Sequence, residues 1–329
     1  MSLIQLQPHP FTSIPTHPSF STDSSRPDLH QYISTALHEA LDLLHSIPST
    51  FTTDPKQHPS PPSQAKVKLL RGWRKPFESR ASTKGREKEK DKSEFWVCRQ
   101  SEHVNESSKG TASWREFEAG LRSEHAEHEM EYTPSVSAVE RLLEWAPENI
   151  GEIEVDGVRF RGVNMEVNLI THTFHPSALI SPRTFISLTI SAAYDGLPST
   201  TSQAPTLSQK EHRQGFLTVQ LPLHPAISST PKALHQEITA SVPKRTIFAN
   251  YASIERVELV QAGKATDQPS TEQSQSQSLI EWTMATTSDA GGSIPQWVQR
   301  SWALGGVPKA VVADVGLFIG WTMRRRQAT

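Results

Sequence analysis

The sequence contains almost no cysteine and no long uninterrupted apolar run. Cys98 is the only cysteine among 329 residues, which excludes an intramolecular disulfide or a cysteine cluster for a metal and favours a reducing compartment. The apolar stretch from Val307 to Met323 contains Lys309 and Asp314 and is shorter than the roughly 20 residues that cross a bilayer. The first 20 residues lack the pattern of a secretory signal. These deficits predict a cytoplasmic protein.

The chain also lacks a strong net charge. It carries 33 basic and 35 acidic residues, for a formal net charge of -2, whereas nucleic-acid binders usually have a strongly basic surface. We therefore expect no nucleic-acid partner. A phosphate-binding glycine loop and a serine-nucleophile elbow are both absent from the sequence, so no cofactor is predicted.

Apolar residues are scarce, at 35% of the chain, while prolines number 24. Such a composition indicates one ordinary domain diluted by polar segments that cannot repay the entropy of ordering them. The predicted organisation is a disordered leader at 1–26, a helix at 27–48, a Pro-rich and basic linker or loop at 49–92, and one domain at 94–326 with low-complexity loop insertions at 196–213 and 262–278.

A basic run covers residues 74–92, where Lys and Arg alternate with Glu and Asp. One interpretation is a solvated, disordered loop. The functional alternative is transient contact with an anionic membrane surface, at which each basic side chain adds about 1 kcal/mol. The sequence leaves both interpretations open.

Helices are predicted in four places. Asp28 begins an amphipathic helix whose apolar residues recur along one face. Ser113 and Glu116 form a capping-box pattern that opens a second helix. Residues 137–145 are predicted as a short helix. Residues 293–326 are predicted as a long apolar helix that Gly305-Gly306 and Pro308 break or kink.

Strands are predicted from Glu94 to Val104 and over most of the chain after Glu152, and the short run from Val67 to Trp73 is a candidate first strand. Asp156-Gly157 is a strong hairpin signal, because a type I′ turn needs positive φ at both central residues. Apolar residues alternate with polar ones from Val163 to Ile170, as in a half-buried strand. The order of elements predicts an α+β fold in which an antiparallel sheet bends around the terminal helix and leaves a cavity.

Several segments resemble START-related domains of the Bet v 1-like, helix-grip class: residues 179–185 (LISPRTF), 280–282 (IEW) and 291–298 (GGSIPQWV). Residues 110–117 and 129–134 together resemble an uncharacterised fungal START-like family of unknown function. The resemblance covers roughly residues 94–326. It implies a curved antiparallel sheet wrapped around a long C-terminal helix, an internal apolar cavity, and a lipid or hydrophobic ligand. It supplies no catalytic residues.

The ligand-binding candidates are the expected inward residues of the strands and one face of the terminal helix. They are Met165, Val167, Leu169, Leu217, Val219, Trp282, Met284, Val298, Val311, Val315 and Phe318. A one-residue error would turn every strand residue to the opposite face. Arg183 is a further candidate, either as a buried cation for a ligand headgroup or as a partner in a structural salt bridge.

Histidines offer two weaker candidates. His125, His128 and Glu129 could share one helix face and bind a metal, but the HExxH spacing is missing and exposed or hydrogen-bonded histidines are the expected outcome. We therefore predict no metal. His172 and His175 follow a strand end, at a pocket mouth or in a surface turn.

Three functions fit this sequence. The first is binding or transfer of a lipid, sterol or other hydrophobic small molecule in an internal cavity. The second is a cyclase-like or hydrolase-like enzyme that uses the same pocket, which requires at least two converging acid–base groups with shifted pKa values. The third is a protein-interaction module with a collapsed cavity.

Overall fold

The structure, a computed structural model, describes residues 2–20, 26–75, 93–174, 180–195, 214–261 and 278–328. The predicted insertion at 196–213, all of that at 262–278 except Ser278, and most of the basic run therefore lie outside the described residues, as does His175. No helix in the described part of the chain is long and apolar enough to span a membrane.

The fold is built on one large, curved antiparallel sheet. The strands are β1 (His9–Pro10), β2 (Thr52–Pro59), β3 (Lys66–Arg74), β4 (Glu94–Val104), β5 (Val136–Trp145), β6 (Ile153–Val155), β7 (Val158–His172), β8 (Arg183–Asp195), β9 (Gln214–His224), β10 (Ile247–Phe248), β11 (Asn250–Gln261) and β12 (Ser278–Asp289). Their main spatial order is β2-β3-β4-β12-β11-β9-β8-β7-β5, and each neighbouring pair along it is antiparallel.

Six α-helices accompany the sheet in the described part of the chain. They are α1 (Leu29–Thr50), α2 (Trp114–Leu121), α3 (His125–Tyr132), α4 (Lys232–Ser241), α5 (Gln296–Gln299) and α6 (Val307–Ala328). The long C-terminal helix α6 contacts β3, β4, α2 and α3. This arrangement confirms the predicted α+β class with a sheet gripping a C-terminal helix.

Both faces of the sheet are covered. We call the side that packs against α1 the outer face and the side that packs against α2, α3 and α6 the inner face. Apolar residues of α1 share one buried cluster with alternate residues of β7, β8 and β9. A second buried cluster joins α2 and α6 to β3, β11 and β12. Among the described residues, the two large hydrophobic cores therefore lie one on each side of the sheet, and a small third cluster joins Ala126, Val136 and Ile170.

Two local predictions are confirmed at the level of single residues. At the start of α2 the predicted capping-box residues meet, and the Glu116 carboxylate accepts from both the backbone N–H and the hydroxyl of Ser113. Asp156 and Gly157 have φ values of 52° and 76° in the turn between β6 and β7. In both places a short-range pattern was sufficient, because the interactions are local in the chain.

The predicted disordered leader at 1–26 is wrong for most of its length. Ile4, Phe11 and Ile14 are buried in the outer-face core, and β1 pairs in parallel with the end of β9. The backbone N–H groups of Leu3 and Ile4 donate to the Glu39 carboxylate on α1. Prolines limit the regular elements here to short ones, but the spaced apolar residues still bury enough surface to hold the segment in place.

A conservative truncation of Ile14 tests this packing. Ile14 is fully buried whereas Ile227 is 80% exposed, so Ile14→Val should lower the free energy of unfolding by about 0.5–1.5 kcal/mol. Ile227→Val is the matched control and should leave it unchanged within about 0.5 kcal/mol. Urea denaturation measures both. Equal stability of the two variants would show that the segment is not part of the core.

Two further predictions are corrected. The linker predicted at 49–92 contains the β2–β3 hairpin, and the short helix predicted at 137–145 is strand β5, paired with β7. Register shifts in β5 after Val136 and after Arg141 break its two-residue alternation. Each such bulge moves the apolar residues out of period two, so their spacing imitated that of a helix.

The turn at Ser60 to Pro62 anchors α6. The Ser60 hydroxyl donates to the Val312 carbonyl at 2.6 Å and accepts the backbone N–H of Gly316 at 2.8 Å. The Ser60 hydroxyl is therefore inserted between the Val312 carbonyl and the Gly316 N–H, two groups four residues apart that would bond to each other in a regular helix. A side chain at Gly316 would leave no room for this turn, since an ideal Cβ there would lie 2.3 Å from the Pro61 carbonyl oxygen.

Candidate functional site

A cavity of about 200 Å³ lies between the inner face of the sheet, helix α3 and the first turns of α6. Residues of the sheet that line it are Arg99, Ile170, His172, Phe185, Gln220, Tyr251, Glu255, Trp282, Met284, Thr286 and Ser288. The helical segments contribute His125, Glu129, Tyr132, Thr133, Val307, Ala310 and Asp314. Aromatic and aliphatic carbon forms much of its wall, but four charged or ionisable carboxyl and guanidinium groups face it as well.

Arg99 is the central cation of this site. Its side chain is 1% exposed, and Nη2 donates to Oε1 of Glu255 at 3.1 Å. The guanidinium lies 3.8 Å from the ring centroid of Trp282, whose indole N–H donates to the same Glu255 oxygen at 2.7 Å. Nε and Nη1 of Arg99 have no hydrogen-bond partner among the described residues. A buried guanidinium is therefore held rigidly while part of its donor capacity stays unused.

Two further carboxyl groups enter the cavity from the helices. Burial raises the pKa of Asp314 to about 7, and nearby Glu129 and Glu255 add to this shift while Arg99 opposes it. Burial also raises the pKa of Glu129, with His125 acting in the opposite direction. Burial thus disfavours the ionised form of both groups, and positive charge from neighbouring residues compensates them only in part.

The raised pKa of Asp314 predicts a pH dependence of stability. Between pH 3.8, the ordinary pKa of an aspartate, and about pH 7, Asp314 is protonated in the folded chain but ionised in the unfolded chain. The contribution of Asp314 to the free energy of unfolding is therefore present below this range and is lost as the pH rises through it. We expect Asp314→Asn to abolish the loss. The stability of the variant relative to the unaltered chain should therefore rise by about 2–3 kcal/mol between pH 5 and pH 8.

Urea denaturation at pH 5, 6.5 and 8 measures this difference. Glu148→Gln is the control, because Glu148 is an exposed carboxyl group outside the cavity, and it should leave the pH dependence unchanged. Parallel stability curves for Asp314→Asn and the unaltered chain would contradict a poorly compensated carboxyl group at this position.

The histidines near the cavity make local hydrogen bonds. Burial lowers the pKa of His172 to about 4, and its Nδ1 lies 3.0 Å from the Ser135 hydroxyl. His125 and His128 each place Nδ1 near a backbone carbonyl, at 2.9 and 3.0 Å. Within the described ranges no group of three His, Cys, Asp or Glu residues could hold a metal. Of the predicted histidine cluster, His125 and Glu129 line the cavity.

The predicted ligand-binding residues of β12 and α6 lie at or beside the cavity. Trp282 and Met284 line it. Val311, Val315 and Phe318 belong to the inner-face core instead, where the ring of Phe318 meets that of Trp282 at 5.3 Å between centroids. Val298 is half-buried on the short helix α5 and is not among the lining residues.

The predicted faces of β7 and β9 are reversed. Met165, Val167, Leu169, Leu217 and Val219 are buried in the outer-face core against α1. The alternate residues Ile170, His172 and Gln220 face the cavity. The sequence predicts that the apolar side of each strand lines the ligand cavity. Close packing in a core requires an apolar face, whereas the wall of a cavity can also contain polar residues. The apolar stripe of α1 packs against the apolar side of these strands, and their other side faces the cavity.

Arg183 has a structural environment. Its side chain is buried, and it donates to the carbonyl oxygens of Ala290 (2.8 Å, through Nε) and Ser181. The acceptors are backbone carbonyls rather than the carboxylate of a salt bridge. Arg183 therefore fixes the chain after β12 and is not among the residues that line the cavity.

The sequence analysis did not identify Arg99, Glu255 or Asp314, which carry charge in the cavity, as site residues. Arg99 and Glu255 lie in strands, and Asp314 lies in the apolar stripe of α6. The available signal was that each charge interrupts an otherwise apolar element, which for a buried group demands a partner. Sequence alone could not show that these interruptions meet in one cavity.

Comparisons with known proteins give a family but no assigned activity. The sequence model of a family described as "Protein of unknown function (DUF3074)" matches residues 96–322. No curated protein matches the chain. Among solved structures, human StAR-related lipid transfer protein 5 is similar at 10% sequence identity, with a TM-score of 0.45 over 91% of this chain and 98% of that chain. The expected fungal origin of the family stays a prediction.

Proposed function

Because the chain belongs to the family described as "Protein of unknown function (DUF3074)", its function has to be inferred from the cavity, and we propose that it binds a hydrophobic small molecule there. The ligand would lie against Trp282, Phe185 and Ile170, whose burial by apolar atoms contributes about 25 cal/mol per Å². Transfer of the bound molecule between membranes, and a cytoplasmic location, are part of the same proposal.

The observation that carries the proposal is the buried guanidinium of Arg99. A buried cation with two donor nitrogens unused is costly unless something accepts from them. The stacking on Trp282 and the bond to Glu255 fix its direction toward the cavity. A mostly apolar pocket with a few directed polar groups is typical of small-molecule sites. Arg99 would therefore orient the ligand.

The volume of the cavity either limits the ligand to a small molecule or requires part of the protein to move when a larger one binds. About 200 Å³ is below the roughly 300–1,000 Å³ of most small-molecule pockets. Arg183 holds Ala290 at the end of β12, and the next residues in the segment between β12 and α6, Gly291 and Gly292, both have φ of 64°, a conformation that few residues tolerate. We propose that this segment and the first turn of α6 move apart to admit a larger molecule.

The test is native mass spectrometry of the purified chain, before and after incubation with oleic acid, cholesterol, octan-1-ol and phosphatidylcholine vesicles. We expect a one-to-one adduct with a molecule carried through purification or with at least one probe. Ala310→Phe should reduce adduct formation about tenfold, because Ala310 lines the cavity at the start of α6. Ala313→Phe is the matched control, because Ala313 is exposed on the same helix, as Ala310 is, but does not line the cavity.

The possible results separate the functions. Adducts that form equally in both variants would place binding outside the cavity. Protein that carries nothing and takes up no probe would count against a binding function and favour the protein-interaction alternative. Addition of phosphatidylserine to the vesicles tests the proposed membrane contact, which should strengthen if the basic run at 74–92 takes part.

A second candidate function is enzymatic. The specific observation in its favour is that Asp314 from α6 and Glu129 from α3 both face the cavity with raised pKa values. Converging acid–base groups of this kind are common at active sites, although buried structural groups also have shifted pKa values. Conversion of a co-purified molecule to a product of altered mass, lost in Asp314→Asn, would favour the enzyme.

A further inference from the structure

The cavity has an excess of carboxyl groups over cations. Glu129, Glu255 and Asp314 enter from α3, β11 and α6, while Arg99 is the guanidinium among the described lining residues. Arg99 is bonded to Glu255, which leaves the other two carboxyl groups without an ion pair to any described residue. His172 stays neutral because burial lowers its pKa. A positively charged group in the cavity would therefore be attracted to Glu129 and Asp314.

The walls near these carboxyl groups are aromatic. Tyr132, Phe185, Tyr251 and Trp282 all line the cavity, and the rings of Phe185 and Tyr251 meet edge to face at 5.3 Å between centroids. Aromatic faces attract ammonium groups, and the attraction grows when water is excluded. Carboxyl groups combined with aromatic walls thus form a chemical environment suited to an amine.

From this arrangement we propose that the ligand is an apolar amine, whose protonated nitrogen lies between Glu129 and Asp314 against the aromatic wall. This inference rests on the proposed binding function and specifies its ligand class. An anionic ligand is disfavoured, because it would face two carboxyl groups while the positive charge of Arg99 is already paired with Glu255.

The unused donors of Arg99 are an independent indication that a ligand binds in the cavity. They also indicate a second chemical group that this ligand carries. Its side chain is 1% exposed, faces the cavity, and has Nε and Nη1 without a partner among the described residues. An ammonium group cannot accept from them. The natural ligand therefore carries a neutral acceptor oxygen, such as a hydroxyl or carbonyl, in addition to the amine.

Three eight-carbon probes separate the chemical classes: octylamine, octan-1-ol and octanoate. Binding of each to the full chain is measured by isothermal titration calorimetry at pH 7.5 and low salt. We expect octylamine to bind at least tenfold more tightly than octan-1-ol, and octanoate to bind most weakly. Asp314→Asn and Glu129→Gln should each reduce the advantage of octylamine about tenfold while leaving octan-1-ol unchanged.

Glu148→Gln controls for attraction of the amine to exposed carboxyl groups and should have no effect. Equal binding of octylamine and octan-1-ol, tightest binding of octanoate, or an octylamine affinity insensitive to both cavity variants would overturn the amine assignment while keeping a hydrophobic-ligand function. Failure of all three probes to bind, together with no adduct in native mass spectrometry, would overturn both. Circular dichroism of each variant establishes that it is folded.

Discussion

We expect the Gly316→Ala variant to lose about 3 kcal/mol or more of its free energy of unfolding, although alanine is the better helix former. The added methyl group would lie 2.3 Å from the Pro61 carbonyl oxygen and 2.7 Å from that of Ser60. Both are backbone atoms, so the clash cannot be relieved by rotating a side chain. Either the turn or the helix must move, which costs more than ordinary overpacking of a core.

Movement of the turn would also disrupt the hydrogen bonds of Ser60 to Val312 and Gly316. These bonds hold α6 to the turn between β2 and β3. Losing them adds about 1 kcal/mol for each buried bond. The cavity should be affected as well, because the same helix presents Val307, Ala310 and Asp314 to it.

Gly320 provides a matched control one turn further along α6. A Cβ there would meet Pro62 at 3.4 Å and Arg324 at 3.5 Å, which is near ordinary contact. Gly320→Ala should therefore raise stability by about 0.5–1 kcal/mol through helix propensity alone. Urea or guanidinium denaturation of both variants measures the contrast. If Gly316→Ala proved as stable as Gly320→Ala, the turn would not be packed against the helix as described.

Arg99→Met should lower the free energy of unfolding by about 3–5 kcal/mol, the usual cost of removing one member of a buried ion pair. Glu255 would be left buried, with the Trp282 indole N–H as its remaining donor in this cluster. The pKa of Asp314 should rise further, because Arg99 is the group that holds it down. The loss of stability should therefore be greater at pH 8 than at pH 5.

A double variant separates the interaction between Arg99 and Glu255 from the contribution of each residue alone. Arg99→Met combined with Glu255→Leu removes both charges and restores apolar packing against Trp282, so most of the stability lost in the single variant should return. A double-mutant cycle completed with Glu255→Leu gives the coupling between the two groups. Additive losses would mean that Arg99 and Glu255 act independently, which would contradict the hydrogen-bonded pair.

The elements that the sequence predicted correctly are those whose interactions are local. The capping box at Ser113, the Asp156-Gly157 turn and the apolar periodicity of α1 and α6 depend on neighbours within a few residues. Such patterns reflect backbone conformation and amphipathicity directly. The same patterns, ordered along the chain, were enough for the α+β class and for the terminal helix against the sheet.

Errors arose where a segment takes its structure from distant partners. The leader is held by α1 and β9, and β5 by its pairing with β7 through two bulges. Neither partner is adjacent in sequence, so composition suggested disorder in one case and spacing suggested a helix in the other. Strand formation depends more on neighbouring strands than on the residues themselves.

By itself, the sequence determined the class of fold, the long final helix and the candidates Trp282 and Met284. Only the tertiary structure decided which side of each strand meets the cavity, because α1 covers the outer face and takes the apolar alternates. It also brought Arg99, Glu129, Glu255 and Asp314 together from four separate elements. A charge in one strand or helix carries no information about its partner until folding removes both from water and makes their interaction strong.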